Sequence, residues 1–190
     1  MKTTAGSLVL LVALVFFSTA SIDAKETTFS EDLRSSSPHF LNPDRPGYFQ
    51  IGGGPAFGIG LDSDKIMYNI NGGYSYNLGQ YLAAKILADL YIGSGSNSSR
   101  IISAGVGGDY FIPNTNLSFG IPYISGDVGY GSVRSADGQT AAGVTYGGGT
   151  GVRFATDNYN WDMNIHYALV MADLADKTPS VLALRGAVNF

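Results

Sequence analysis

Hydrophobic and polar residues alternate along most of the chain from Gly47 onward. In residues 66–77, aromatic and branched side chains take every second position except Gly72, and asparagine, serine and glycine take most of the others. Such period-two alternation, broken by Gly, Asn, Asp and Pro, predicts β-strands joined by turns. Eight segments are predicted: 49–61, 66–77, 81–93, 100–112, 117–132, 142–154, 161–171 and 182–190.

The residue types on the two faces of these strands predict which face meets hydrocarbon and which faces the barrel interior. The polar faces are rich in glycine and serine, which suit the crowded interior of a narrow barrel, while the apolar faces are bulky. Slipping one strand by a residue would turn Lys85 and Asp89 into hydrocarbon, at about 2 to 4 kcal/mol for a midplane lysine. We therefore predict an all-β fold, an eight-stranded antiparallel up-and-down transmembrane β-barrel over residues 47–190. A soluble lipocalin-like carrier, with its apolar faces inside, is the alternative.

The chain begins with a targeting pattern. Lys2 precedes an uninterrupted apolar run at residues 8–17, and small residues follow at Ala20 and Ala24. The run is shorter than the roughly 20 apolar residues of a transmembrane helix, so residues 1–24 are predicted to be a secretory signal peptide, cleaved after Ala20 or Ala24. An uncleaved anchor is the alternative. In residues 25–46, hydrophobic residues recur with neither the helical nor the strand period. This segment is predicted to be an extended periplasmic linker or arm.

Composition excludes several classes of function. Charged residues make up 14% of the chain, against about 25% in soluble globular proteins. The net charge of −4 offers no cationic field for nucleic acid. The chain has no Cys and two His, and no nucleotide- or metal-binding motif stands out. We expect no cofactor, no metal and no nucleic-acid partner.

Charged residues in the polar phase of the strands are predicted to face the barrel lumen. They are Lys85, Asp89, Asp109, Asp127, Arg153, Asp162, His166 and Arg185. Since buried charges are tolerated only when paired, a charged network that plugs the lumen is expected. The predicted pairs are Lys85 with Asp109, Arg153 with Asp162, and Asp162 with Arg185. The alternative is an ion path, but eight strands enclose little more than their own side chains.

Aromatic residues in the outward phase gather at one end of the predicted barrel. They are Phe49, Tyr76, Tyr110, Phe154, Trp161 and Phe190. Aromatic belts mark membrane–water interfaces, so these residues predict a periplasmic-side girdle, with turns at 78–80, 113–115 and 156–158. The opposite loops, at 62–65, 93–99, 133–139 and 173–180, are all short.

His166 and Asp162 lie four residues apart on one strand face and suggest a catalytic alternative. A carboxylate can orient an imidazole for base catalysis, as in enzymes that hydrolyse lipid A esters. No nucleophilic serine is evident beside His166, and its phase points inward. A structural lumen histidine, and no enzymatic activity, is therefore expected.

Three stretches carry a resemblance to a known family. They are IPYISGDVGY at 121–130, GGGTGVRF at 147–154, and the terminal strand in which Leu184, Gly186 and Val188 alternate before Phe190. With them, the chain resembles the small eight-stranded outer-membrane barrels of the OmpA/OmpX and opacity-like type.

The resemblance implies a place in the bacterial outer membrane and a structural, envelope-integrity or surface-interaction role. It also implies a monomer whose partners are outer-membrane lipid, lipopolysaccharide and, through the C-terminal strand, the barrel assembly machinery. A passive transporter of small or apolar solutes is the first alternative, and a lipid A-modifying enzyme the second.

Overall fold

The computed structural model describes residues 47–61, 66–79, 81–94, 98–112, 120–155, 160–172, 174 and 178–190. The predicted signal peptide, 1–24, and the predicted arm, 25–46, lie outside these residues and stay predictions.

Eight antiparallel strands form a closed barrel in which each strand pairs with its sequence neighbours and β8 pairs with β1. The strands are β1 (Gly47–Ile59), β2 (Ile66–Asn77), β3 (Leu82–Gly93), β4 (Arg100–Phe111), β5 (Ile121–Arg134), β6 (Thr140–Ala155), β7 (Asn160–Met171) and β8 (Ser180–Asn189). The predicted fold class is confirmed. In the described ranges, no helix has the length and hydropathy to cross a membrane.

The boundaries of β5 differ from those predicted. The strand begins at Ile121 instead of 117, and it continues through Val133 and Arg134, which were predicted to lie in a loop. The alternation does not stop at residue 132, because Val133 is buried and Arg134 is exposed. The turn to β6 is therefore tight. It is closed by the Ser135 amide, which donates to the Gln139 carbonyl at 2.9 Å, and by Gly138 at a φ of 89°.

The apolar faces of the strands point away from the barrel. Ile70 and Met163 each leave more than half of their surface exposed, whereas Lys85 and Arg185 lie in the interior with side chains 13% and 9% exposed. The predicted phase of the strands is confirmed. The soluble-carrier arrangement, with apolar residues inside and charges outside, is not the one that this chain adopts.

The barrel interior has three layers, and the sequence predicted only the charged one. At the end formed by the hairpins β1–β2, β3–β4, β5–β6 and β7–β8, here called the loop end, Met67, Ile101 and Val133 belong to a buried apolar cluster. At the other end, where β1 begins and β8 ends, here called the terminal end, Phe111 and Tyr123 form a smaller cluster. The charged residues lie between them. The expectation of charge and glycine throughout the lumen was therefore incomplete.

Candidate functional site

Arg153 is the centre of the charged layer at the terminal end. It is fully buried on β6 and lies directly opposite Asp162 on β7. Its Nε and Nη2 donate to the two carboxylate oxygens of Asp162 at 2.6 and 2.7 Å, a bidentate pair. Its Nη1 donates to the Tyr48 hydroxyl, and its Nη2 lies 3.8 Å from Asp109 Oδ2. Arginine suits this site because its planar fork presents fixed donors in several directions.

Three aromatic rings surround the same guanidinium. Its Cζ lies 4.9 Å from the ring centroid of Tyr48, 4.8 Å from that of Phe111 and 5.5 Å from that of Tyr123. Each ring is within the range of a cation–π contact, which is strongest where water is excluded. Arg153 and its three rings therefore pack together inside the barrel near the terminal end.

Lys85 and Asp109 extend this cluster across the lumen. Lys85 Nζ donates to Asp109 Oδ1 at 2.6 Å, and Gln50 Nε2 donates to Asp162 Oδ2 at 3.2 Å. Two cations and two carboxylates thus balance in one connected group, which satisfies the requirement that buried charges be paired. Both contacts that the sequence predicted here, Lys85–Asp109 and Arg153–Asp162, are present.

Arg185 belongs to a second cluster and not to Asp162, so the predicted Asp162–Arg185 pair was wrong. Its Nη2 lies 2.8 Å from Asp89 Oδ1 and also donates to the Tyr91 hydroxyl. In the register of β7 and β8, Arg185 faces Asn164, and Asp162 is already occupied by Arg153. The long arginine side chain reaches past β1 and β2 to β3, a contact across the lumen that neighbouring-strand pairing does not predict.

His166 pairs with Asp127, again across an intervening strand. Its Nε2 lies 2.8 Å from Asp127 Oδ2. Asp127 is opposite Gly147 of β6 in the strand register, and His166 is opposite Gly149 of the same strand. A Cβ built at Gly147 would lie 2.3 Å from Asp127 Oδ1 and 2.7 Å from His166 Cε1, so a larger residue there would displace one of these two side chains. Asp162 does not orient this imidazole, because four residues of strand span about 13 Å.

Between the two clusters lies a cavity of about 30 Å³, lined by Lys85, Asp89, Asp127, His166 and Arg185 among others. A volume of this size holds about two water molecules. In the described ranges, no group of three His, Cys, Asp or Glu residues is arranged to bind a metal ion. By its volume, the cavity has room for water and is too small for a lipid or sugar substrate.

Sequence reasoning missed the neutral partners of the charges. The hydroxyls of Tyr48 and Tyr91 accept hydrogen bonds from the two arginines. The amides of Gln50 and Asn69 donate to Asp162 and Asp89, each at 3.2 Å. Tyr91 shares its strand phase with Lys85 and Asp89, so its inward direction was available from the pattern. Its hydrogen-bonding role was not, since tyrosine also occupies outward positions of this chain, such as Tyr68 and Tyr130.

The six residues of the predicted girdle lie near the terminal end. Phe49, Tyr76, Tyr110, Trp161 and Phe190 are exposed on the outer face, and Phe154 is half-buried opposite Trp161. The backbone of Phe49 exchanges hydrogen bonds with that of Phe190, which brings the first and last strands to one level. Their role as an interfacial girdle stays a prediction.

At the opposite end, the β5–β6 turn holds Asp137 in its charged form. Its carboxylate accepts hydrogen bonds from the Ser135 hydroxyl and, at 3.4 Å, from the Gln139 amide. The serine hydroxyl, with the amide second, lowers the pKa of the Asp137 carboxyl below its ordinary value. The carboxylate of Asp137 therefore stabilises its own turn by accepting both hydrogen bonds.

The chain forms a closed eight-stranded antiparallel barrel with an apolar exterior and a charged interior, and this combination is typical of one class of proteins. The fold is that of the small eight-stranded outer-membrane β-barrels. Among solved structures, the chain is similar to neisserial surface protein A, NspA, at 18% identity and a TM-score of 0.58, over 77% of this chain and 98% of that one.

Two other solved barrels are matched less closely. The N-terminal β-barrel domain of Pseudomonas aeruginosa OprF is 12% identical, with a TM-score of 0.48 over 77% of this chain and 98% of that one. Ail of Yersinia pestis, solved in complex with the heparin analogue sucrose octasulfate, is 16% identical, with a TM-score of 0.49 over 76% and 97%. No protein-family model and no curated protein sequence matches the chain.

Proposed function

We propose that this protein is a monomeric outer-membrane barrel with a structural or surface-interaction role, whose lumen is plugged by its charged network. One observation carries the proposal: exposed aliphatic and aromatic side chains cover the outside of a barrel that buries ion pairs inside. Water would disfavour such an exterior, and hydrocarbon favours it. Outer-membrane lipid, including lipopolysaccharide, is then the principal partner.

Two features support an orientation with the terminal end in the periplasm. The exposed aromatic residues and the short 78–81 connection at the terminal end suit the periplasmic interface, and in this orientation the loop end faces the cell surface. The C-terminal strand, β8, ends beside Phe190 at the periplasmic side, where the barrel assembly machinery would engage it.

A plugged lumen is supported by what fills each level of it. Arg153 and its aromatic rings occupy the terminal end, and the apolar cluster around Met67 and Ile101 occupies the loop end. The passive-transporter alternative needs a path through the interior, where the cavity between the charged clusters accepts about two waters. The lipid A-modifying alternative needs its catalytic histidine on the lipid face. His166 lies in that interior, away from lipid esters.

Membrane fractionation with heat-modifiable gel mobility tests the proposal. The protein is expected in the outer-membrane fraction, to need detergent for extraction, and to migrate differently before and after boiling, because a folded barrel resists the gel detergent. The boiled sample of the same preparation is the control. Detergent-free extraction, or mobility unchanged by boiling, would contradict the membrane barrel.

Planar-bilayer recording tests the plug. The purified protein is expected to give no steady single-channel current, because an ion would have to pass both the buried apolar cluster and the Arg153 layer. The same detergent without protein is the control. Steady, sizeable current steps would show that the lumen conducts, and the transporter alternative would replace this part of the proposal.

A further inference from the structure

Two arginines face outward at the loop end of neighbouring strands. Arg100 begins β4 and Arg134 ends β5, and they are direct cross-strand partners in the register of that pair. Both side chains are exposed and lie in the outward phase that also carries Ile102 and Tyr130. Directly opposed residues have Cα atoms about 4.5 to 5.5 Å apart, so two positive charges meet at one place on the outer wall.

The height of Arg100 and Arg134 on the barrel matches the edge of the hydrocarbon layer that is farther from the terminal end. On β4, Arg100 shares the outward face with Tyr110 of the aromatic group at the terminal end. The strand from Arg100 to Tyr110 rises about 25 Å along the axis at the usual tilt, which is the height of the apolar band of such barrels. The outward positions between them, Ile102, Ala104, Val106 and Gly108, carry no charge. Arg100 and Arg134 therefore lie at the level of the lipid headgroups.

Like charges directly opposed across two strands are destabilising unless an anion neutralises them. In the described part of the chain, neither arginine has a carboxylate within ion-pair distance. The carboxylate of the adjoining β5–β6 turn, Asp137, accepts hydrogen bonds from Ser135 and Gln139 and forms no ion pair with Arg100 or Arg134. The fold thus places two unneutralised guanidinium groups, which are well suited to bidentate phosphate binding, where phosphorylated headgroups would lie.

We propose that Arg100 and Arg134 form a binding site for the phosphate groups of a phosphorylated glycolipid of the outer leaflet, the lipid A portion of lipopolysaccharide. The inference rests on the proposed membrane location and orientation, and it adds the site and the chemical group recognised. Two adjacent guanidinium groups on paired strands donate to one phosphate between them, and the planar fork of arginine limits the side-chain entropy lost for each hydrogen bond formed.

The test measures binding of lipid A by native mass spectrometry. Purified barrel in neutral detergent is titrated with bisphosphorylated lipid A and, in parallel, with the same lipid A after removal of both phosphates. The unaltered protein is expected to prefer the phosphorylated form by tenfold or more, and the double variant Arg100→Gln/Arg134→Gln to lose most of that preference. Arg100→Lys/Arg134→Lys should retain part of it, because charge remains while the bidentate fork is lost.

The matched control is Asp137→Asn on the same hairpin, which should not weaken binding, since it removes a negative charge. Equal binding of both lipid A forms, or an unchanged preference in the Gln variant, would overturn the site. A soluble heparin fragment provides a further arm: heparin binding that is lost in the Gln variant, with lipid A binding unaffected, would assign the pair to sulfated glycans instead. Throughout, outer-membrane fractionation and heat-modifiable mobility report separately on the proposed membrane location.

Discussion

Replacing Arg153 by methionine is expected to lower the free energy of unfolding by about 3 to 5 kcal/mol, the range for removing one partner of a buried ion pair. The arginine is fully buried and serves two carboxylates at once, binding Asp162 bidentately and lying 3.8 Å from Asp109. Methionine would fill much of the volume among the rings of Tyr48 and Phe111. Among the described residues, the side-chain amide of Gln50 would then be the remaining hydrogen-bond donor to the Asp162 carboxylate.

Urea unfolding in phosphatidylcholine bilayers measures this loss. Trp161, the single tryptophan, lies exposed on the outer wall and reports insertion through its fluorescence, with heat-modifiable mobility as a second probe. The double variant Arg153→Met/Asp162→Leu should recover much of the stability, because no unpaired charge remains at that position. Arg134→Met, which removes an exposed arginine, is the matched control and should change stability by at most about 0.5 kcal/mol. Equal effects of Arg153→Met and Arg134→Met would show that the buried arginine contributes no more to the free energy of unfolding than an exposed one.

Val106→Arg is expected to lower the free energy of unfolding in bilayers by about 2 to 4 kcal/mol, the cost of an arginine at the membrane midplane. Val106 lies on the outer face of β4, 55% exposed, between Arg100 at one edge of the apolar band and Tyr110 at the other. Its neighbours across the sheet are Ile86 and Val128, which offer no partner for a charge.

Ile102→Arg on the same face of the same strand is the matched control. It lies two residues from Arg100 and is similarly exposed, so its arginine can extend to the headgroups, at a cost of about 0 to 1 kcal/mol. The same urea titration in phosphatidylcholine compares the two variants. Equal, small costs would mean that the outer wall faces water, which would contradict the proposed membrane location.

Local pattern was sufficient for the strands and for contacts between adjacent strands. The predicted segment 66–77 coincides with β2, because its alternation is uninterrupted and both its ends are marked by polar or glycine-containing turns. The Arg153–Asp162 and Lys85–Asp109 pairs were predictable for a related reason. Each joins neighbouring strands of a meander, where counting from the shared turn places the two residues at similar heights.

Pattern was insufficient wherever a contact crosses the lumen or skips a strand. Arg185 reaches Asp89 from the far wall, and His166 reaches Asp127 over Gly147. Such contacts depend on how far the barrel curves and how its strands are staggered, neither of which any single segment encodes. The apolar cluster at the loop end was missed for a similar cause, since residues such as Val133 are apolar in the inward phase and acquire a hydrophobic neighbourhood only when the barrel closes.

By itself, the amino-acid sequence determined that this chain forms eight strands, which face of each strand is apolar, and which charges must avoid the surrounding solvent. These properties follow from a period of two residues and need no knowledge of distant segments. Only the tertiary structure decided which charges meet, how little space remains between them, and that Arg100 and Arg134 stand side by side on the outer wall. Those facts depend on closure and register, which are properties of all eight strands together.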